Sequence, residues 1–247
     1  MKAMIFAAGL GTRLGNLTKN TPKPMLQVKG FPIMAYVINH LVKNGFNQIV
    51  INLHYFPDII KDYFSDGFNW GAELTYSFEP DLLGTAGGLK KMEKYFEKED
   101  VFLAYYGDIM TNQDISQMIK FHQKNLALST LLVHQRLNSN SMVEMDENGK
   151  ITKFIERPKE DERKLISTSW VNSGIFLFNP EIFKFLLPEK PLDIPRDLII
   201  PNLGLGRFFG FPLTGYRCAI DSDLRLKEAQ NAVTQGIFGK LQNSKLL

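Results

Sequence analysis

Cysteine is nearly missing from this chain: Cys218 is the single one in 247 residues. An internal disulfide is therefore excluded, as is a multi-cysteine metal site, and a cytoplasmic setting is expected. Long apolar runs are missing too. No stretch reaches the roughly 18 residues that a membrane-spanning helix needs. The apolar run after Lys2 breaks at Gly9, too short and too glycine-rich for a signal or anchor segment, so no membrane partner is expected. Neither sign of charge dominates. Lys and Arg number 29 against 26 Asp and Glu, a net charge of +3. That balance gives no reason to expect a nucleic-acid partner and suits a protein that handles small anions. His40, His54, His122 and His134 lack metal-ligand spacing, and His40 and His122 fall on expected helices and read as structural. No Ser-His-Asp arrangement, internal repeat, low-complexity tract or linker is visible.

What is present begins with size. The length fits one large α/β domain or two small ones, and 44% hydrophobic content is ordinary for a folded protein. The rest is organised around Ala7 to Lys23. This stretch follows a short apolar strand, Ala3 to Phe6, is rich in small residues, and then delivers two cations, Arg13 and Lys23. Small residues after a strand let backbone N–H groups approach a phosphate, whose charge the cations can neutralise. An ordinary tight turn is the competing reading.

Downstream, Ile33, Val37 and Leu41 recur at helical spacing up to the stop at Asn44-Gly45. Strands are expected at Met25–Val28, Gln48–Leu53, Leu74–Phe78, Val101–Tyr106 and Ser129–Val133. Helices are expected at Asp58–Phe64, after the small-residue segment Glu79–Gly88 to about Phe96, and at Ile115–Lys124. Alternating strands and helices predict an α/β fold with a mostly parallel sheet flanked by helices, whose ligands sit beyond the carboxyl ends of the strands. The second half differs. Met142–Met145 and Ile151–Ile155 flank Glu147-Asn148-Gly149, a hairpin signal. Trp170–Phe178, Phe208–Pro212 and Cys218–Ile220 read as strands. Short helices are expected near Glu181–Leu186 and Ile194–Leu203, and a longer one from Asp223 to about Val233. The organisation expected is one domain over 1–233, in two halves (1–135 and 136–233), and a tail (234–247).

Two glycine fingerprints fail on the opening loop. Leu14 stands where a dinucleotide fingerprint needs its third glycine, and where a P-loop needs its second. The loop instead resembles the signature of the sugar-1-phosphate nucleotidyltransferases, a Rossmann-like family with the pattern GxGTRxxPLTxxxPKP. The family arginine and lysine fall on Arg13 and Lys23. Gly15-Asn16 stand where the family has Arg-Pro, which removes a fixed φ and adds backbone freedom. Glu79-Pro80 and Leu83 to Leu89 look like its base-reading segment, the bland reading being a plain helix N-terminus. Gly107-Asp108 matches its metal-binding GD, although Tyr106 replaces the usual asparagine. Phe154 to Pro158 resembles its sugar-side FxEKP, with Arg157 in place of lysine; Arg keeps the charge and changes the geometry. Asn172-Ser173-Gly174 looks like its NxG strand. Asp221 resembles the second aspartate of its metal site, and Asp223 reads as a helix N-terminal acid.

The resemblance covers roughly residues 2–232, and it implies that an NTP and a sugar 1-phosphate give an NDP-sugar and pyrophosphate. It implies Arg13, Lys23 and Asp108 as catalytic residues. Ala7, Ala8, Gly9, Leu10, Gly11, Thr12, Glu79, Gly84 and Thr85 would bind nucleotide. Glu156, Arg157, Asn172 and Gly174 would bind the sugar phosphate, in a smaller β-hairpin region. Mg²⁺ would sit on Asp108 and Asp221. The LGTAGG segment and the stretch Pro191–Leu203 look most similar to mannose-1-phosphate guanylyltransferases. Uridylyltransferases for N-acetylmuramic acid 1-phosphate or another hexose 1-phosphate, and guanylyltransferases for a heptose 1-phosphate, stay open. So do self-association and a second class, a non-catalytic sugar-nucleotide sensor or regulatory subunit. A nicotinamide dehydrogenase is disfavoured by the failed fingerprint. With no hexapeptide-repeat tail, an added acyltransferase domain is not expected.

Overall fold

A computed structural model describes residues 1–137, 139–165, 168–186, 191–239 and 241. In chain order it contains β1 (Lys2–Phe6), β2 (Gln27–Val28), β3 (Phe31–Pro32), α1 (Ile33–Lys43), β4 (Gln48–Leu53), α2 (Pro57–Phe64) and β5 (Glu73–Phe78). There follow α3 (Gly84–Lys91), α4 (Glu93–Phe96), β6 (Phe102–Tyr106), β7 (Ile109–Thr111), α5 (Ile115–Lys124), β8 (Ser129–Gln135), β9 (Ser141–Met145) and β10 (Ile151–Glu156). The last are β11 (Trp170–Phe178), α6 (Ile200–Asn202), β12 (Phe208–Pro212), β13 (Arg217–Ala219) and α7 (Asp223–Thr234). The end of the expected tail, beyond 241, lies outside the described residues.

The chain divides into two compact units. The first gathers Met1–Leu82, Tyr105–Asp114 and Thr214–Leu247. Its sheet strands run in the order β6-β1-β4-β5. β1 pairs parallel with β4, and β4 with β5. Ala3, Met4 and Ile5 of β1 and Ile49, Val50 and Ile51 of β4 are fully buried, as continuous apolar runs in a parallel sheet require. α1 buries every residue from Ile33 to Leu41. β7 and β13 form an antiparallel ladder that pairs Ile109 with Ala219.

The second unit gathers Leu83–Ala104 and Ile115–Leu213. Its sheet strands run β12-β8-β11-β6. β12 joins β8 in parallel, while β11 joins β8 antiparallel and loses register between Asn172 and Phe176. The sheet is thus mostly parallel, as expected, with β11 running antiparallel to β8. β9 and β10 form the expected antiparallel hairpin. Phe102 stacks on Phe96 and Phe183 and packs against Phe178, forming an aromatic core. The helix expected to run to Phe96 breaks at Met92, whose φ of −99° and ψ of 14° leave the helical region.

Candidate active site

In the first unit, β1 ends at Phe6 and delivers the loop that starts at Ala7. Asn52, at the end of β4, accepts the Ala7 N–H on Oδ1 at 2.7 Å and the Ala8 N–H at 3.4 Å. Its amide nitrogen donates to Glu79 Oε1 at 2.8 Å. A carboxylate only accepts, so Glu79 orients the amide with its oxygen toward the loop. Glu79 is 1% exposed; its side chain braces the loop through Asn52. Ala7 and Ala8 are buried, while Gly9, Leu10 and Thr12 are exposed and form the accessible part of the loop.

Gly15 lies within the turns Thr12–Thr18 at φ 51° and ψ −119°, a positive φ that glycine adopts freely and that the arginine of the family pattern would adopt only under strain. The departure from the family pattern therefore gives this loop its own path. Thr18, buried, pins it by donating from Oγ1 to Gly11 C=O at 2.9 Å. Arg13 lies in these turns; its side chain is outside the described residues.

Lys23, 8% exposed, donates from Nζ to Asp108 Oδ2. Asp108 follows β6 through Gly107, whose N–H donates to Phe6 C=O at 3.0 Å. A Cβ on Gly107 would stand 2.9 Å from that oxygen, so the glycine admits the close approach of Asp108 to the end of β1. The Ile220 N–H donates to Asp108 C=O at 2.9 Å, which brings Asp221 beside Asp108 from a distant part of the sequence. Ser222 caps α7 by accepting the Arg225 N–H, and Asp223 opens the helix, where its charge meets the positive end of the macrodipole. Among the described residues no group of three or more His, Cys, Asp or Glu could hold a metal. Asp108 and Asp221 offer two carboxylates, the oxygen donors a hard cation such as Mg²⁺ prefers, and Asp108 already faces a cation.

The second unit carries the remaining residues. Gly84 and Thr85 open α3, where N–H groups have no partner within the helix. Glu156 ends β10, and Arg157 follows at φ 53°, its side chain exposed. Glu156 Oε2 is buried and has no hydrogen-bond partner among the described residues. Burial chiefly, with the charge of Asp193, pushes the Glu156 carboxyl up to about 7, against the pull of Arg157 and Arg196. Asn172 lies at the irregularity of β11. Its Oδ1 accepts the Gly174 N–H at 2.8 Å, which leaves the amide nitrogen as a donor. Its own N–H donates to Ser141 Oγ at 2.9 Å. The buried Glu156 oxygen and the Asn172 amide suit the hydroxyls of a polar ligand, and the Arg157 guanidinium suits an anion.

The nucleotidyl transferase family pattern matches residues 2–199. The chain belongs to this family. A relative named UTP–glucose-1-phosphate uridylyltransferase, from Synechocystis, is 34% identical and aligns with 80% of this chain and 54% of its own length. A mannose-1-phosphate guanyltransferase of Yarrowia lipolytica is 29% identical over 87% of this chain and 59% of the relative. This family member thus spans little more than half the length of those two relatives. A D-glycero-alpha-D-manno-heptose 1-phosphate guanylyltransferase of Campylobacter jejuni is 30% identical over 77% of this chain and 81% of the relative. The fold matches that of a Bacillus anthracis protein assigned as a glucose-1-phosphate thymidylyltransferase, with a TM-score of 0.84, 23% identity and 98% of each chain covered.

The sequence reading missed Asn52. It found the strand Gln48–Leu53 but took its last residues as strand alone. A buried asparagine at a strand's carboxyl end, level with a small-residue loop, was the available signal.

Proposed function

We propose that this nucleotidyltransferase joins an NTP to a sugar 1-phosphate, releasing an NDP-sugar and pyrophosphate. A phosphate oxygen of the sugar attacks the α-phosphorus. The bond from that phosphorus to the oxygen bridging to the β-phosphate breaks, and the electron pair leaves with pyrophosphate. No covalent protein intermediate is needed, so the residues act by positioning and charge neutralisation. The observation that carries this reading is the Lys23–Asp108 ion pair, with Asp221 tied beside it, in a chain of this family.

The exposed loop Gly9–Thr12 receives the NTP, with Ala7 and Ala8 held in place beneath it. Lys23 leaves Asp108 to neutralise the α-phosphoryl oxygens, and Arg13 the departing pyrophosphate. Gly84 and Thr85 take part in reading the base. Arg157 holds the incoming phosphate; Glu156, Asn172 and Gly174 receive the sugar hydroxyls. Asp108 and Asp221 would hold Mg²⁺, which when bound would supply Lewis-acid neutralisation of phosphate charge.

The first reading of substrate is GTP with mannose 1-phosphate, supported by several relatives named for that activity. UTP with glucose 1-phosphate is the second, favoured by the 34% identical relative. The proposed setting is cytoplasmic; no helix among the described residues is long and apolar enough to cross a membrane. Pyrophosphate release from a panel of NTPs against sugar 1-phosphates tests the proposal. Release from one pair is expected, and tight NDP-sugar binding without release from any pair would favour a sensor instead.

A further inference from the structure

The stretch Pro191–Leu203 has so far no part in the site, yet its first residues are fastened to the opening of α3. The Leu192 N–H donates to Leu83 C=O at 2.8 Å, and Leu192 C=O accepts from Ala86 N–H at 2.8 Å and Gly87 N–H at 3.3 Å. The Ile194 N–H donates to Thr85 Oγ1 at 2.8 Å, and that hydroxyl donates to Asp193 Oδ2 at 3.4 Å, across 108 positions of sequence. Both capacities of the hydroxyl are thereby used on one short segment. The approach is close: a Cβ on Gly84 would stand 2.3 Å from Leu192 O.

Asp193 is held at its other oxygen by the Arg196 N–H at 3.3 Å, while its own N–H donates to Asp197 Oδ2 at 2.6 Å. The same carboxylate faces the charges of Arg196, Arg157 and Asp197, and it faces Glu156. Three carboxylates and two guanidinium groups therefore form one cluster, with the Thr85 hydroxyl bonded to Asp193. The sugar-side residues and the base-side loop are joined by this segment.

We propose that Thr85 and Asp193 are positioning residues that tie the loop Leu83–Gly87 to Glu156 and Arg157, so that a hydroxyl on the nucleotide-reading loop sets affinity for the sugar 1-phosphate. The inference rests on the function proposed above. Its physical basis is competition for a guanidinium. Asp193 braced by Thr85 leaves Arg157 available to a phosphate. Asp193 released from Thr85 pairs more fully with Arg157, because a carboxylate and an arginine form a strong charge-assisted bond.

The test uses the full chain with GTP and mannose 1-phosphate, or whichever pair of the panel the wild type turns over. Thr85→Val, which keeps shape and removes the hydroxyl, is expected to raise KM for the sugar 1-phosphate about tenfold, several times more than it changes the NTP KM or kcat. Thr85→Ser is expected to restore the wild-type value. Calorimetry with mannose 1-phosphate alone is expected to show the same selective loss without turnover. Should Thr85→Val not fold, Asp193→Asn carries the test. It removes the competing charge and leaves no acceptor for the Thr85 hydroxyl at the amide nitrogen, so it must also shift the sugar 1-phosphate KM selectively. An active wild type whose folded variants change both KM values alike, the NTP KM alone, or neither would overturn the tie only. A wild type that releases no pyrophosphate from any pair would overturn the proposed function on which it stands.

Discussion

Lys23 and Asp108 neutralise each other in a largely buried setting, and in the proposed reaction each has a second partner to meet. Removing either is expected to cost turnover heavily. Lys23→Ala and Asp108→Asn should each lower kcat by about 10² to 10³, the range for deleting one preorganised electrostatic contact. Circular dichroism should be unchanged, which separates lost chemistry from lost fold. Asn52→Ala acts differently. It releases the Ala7 and Ala8 N–H groups, so the NTP KM is expected to rise about tenfold. Glu79→Gln can still accept from the Asn52 amide and is expected to be mild in the same assay. Lys23 and Asp108 stand in local motifs that a sequence can flag. Asn52 does not, because its partners stand 45 and 27 positions away and no local spacing signals such a contact.

Glu156 carries a pH signature of its own. Its carboxyl is pushed up to about 7 in the fold, against an ordinary 4.5, chiefly by burial. The folded state therefore holds a proton that the unfolded chain releases. The stability this contributes is complete below the ordinary value and is lost as pH rises through about 7. Glu156→Gln cannot lose that proton. Relative to the parent, its stability should rise between about pH 5 and pH 8, by on the order of 2 kcal/mol. Urea denaturation at the two pH values measures it; a constant difference would contradict the assignment.

Among the elements, the strongest signals were long, apolar and bounded by turn residues. β11 and β12 fall where the sequence placed them, Trp170–Phe178 and Phe208–Pro212. β7 escaped, since three residues after Gly107-Asp108 give no periodicity, and its partner β13 comes from more than 100 positions further on. The opening of α3 was read as a helix start with a base-reading role. Its contact with Leu192 was invisible because it depends on a carbonyl, which sequence does not mark. Gly84 combines a φ of 73° with that near contact, so Gly84→Ala meets both strain and a clash. A loss of about 3 kcal/mol of unfolding free energy, measured by chemical denaturation, is expected. Gly9→Ala, with nothing near its Cβ position, is the control expected to leave stability within about 0.5 kcal/mol.

At the level of the whole molecule, sequence order and spatial grouping differ. The first unit draws on three separate stretches of chain, and that is how Lys23, Asp108 and Asp221 come to share one unit. A reading in contiguous halves follows the order of motifs, whereas compactness follows which strands and helices bury each other. The α/β class was legible because alternating strands and helices leave few arrangements, and the family because its motifs recur in order. We propose that this member of the nucleotidyl transferase family acts through Lys23 and Asp108 on an NTP and a sugar 1-phosphate. Pyrophosphate release by the wild type, Lys23→Ala and Asp108→Asn across the substrate panel tests it most directly. Release from one pair by the wild type is expected, with near-complete loss in both variants. Undiminished release by either variant, or none by the wild type with any pair, would contradict it.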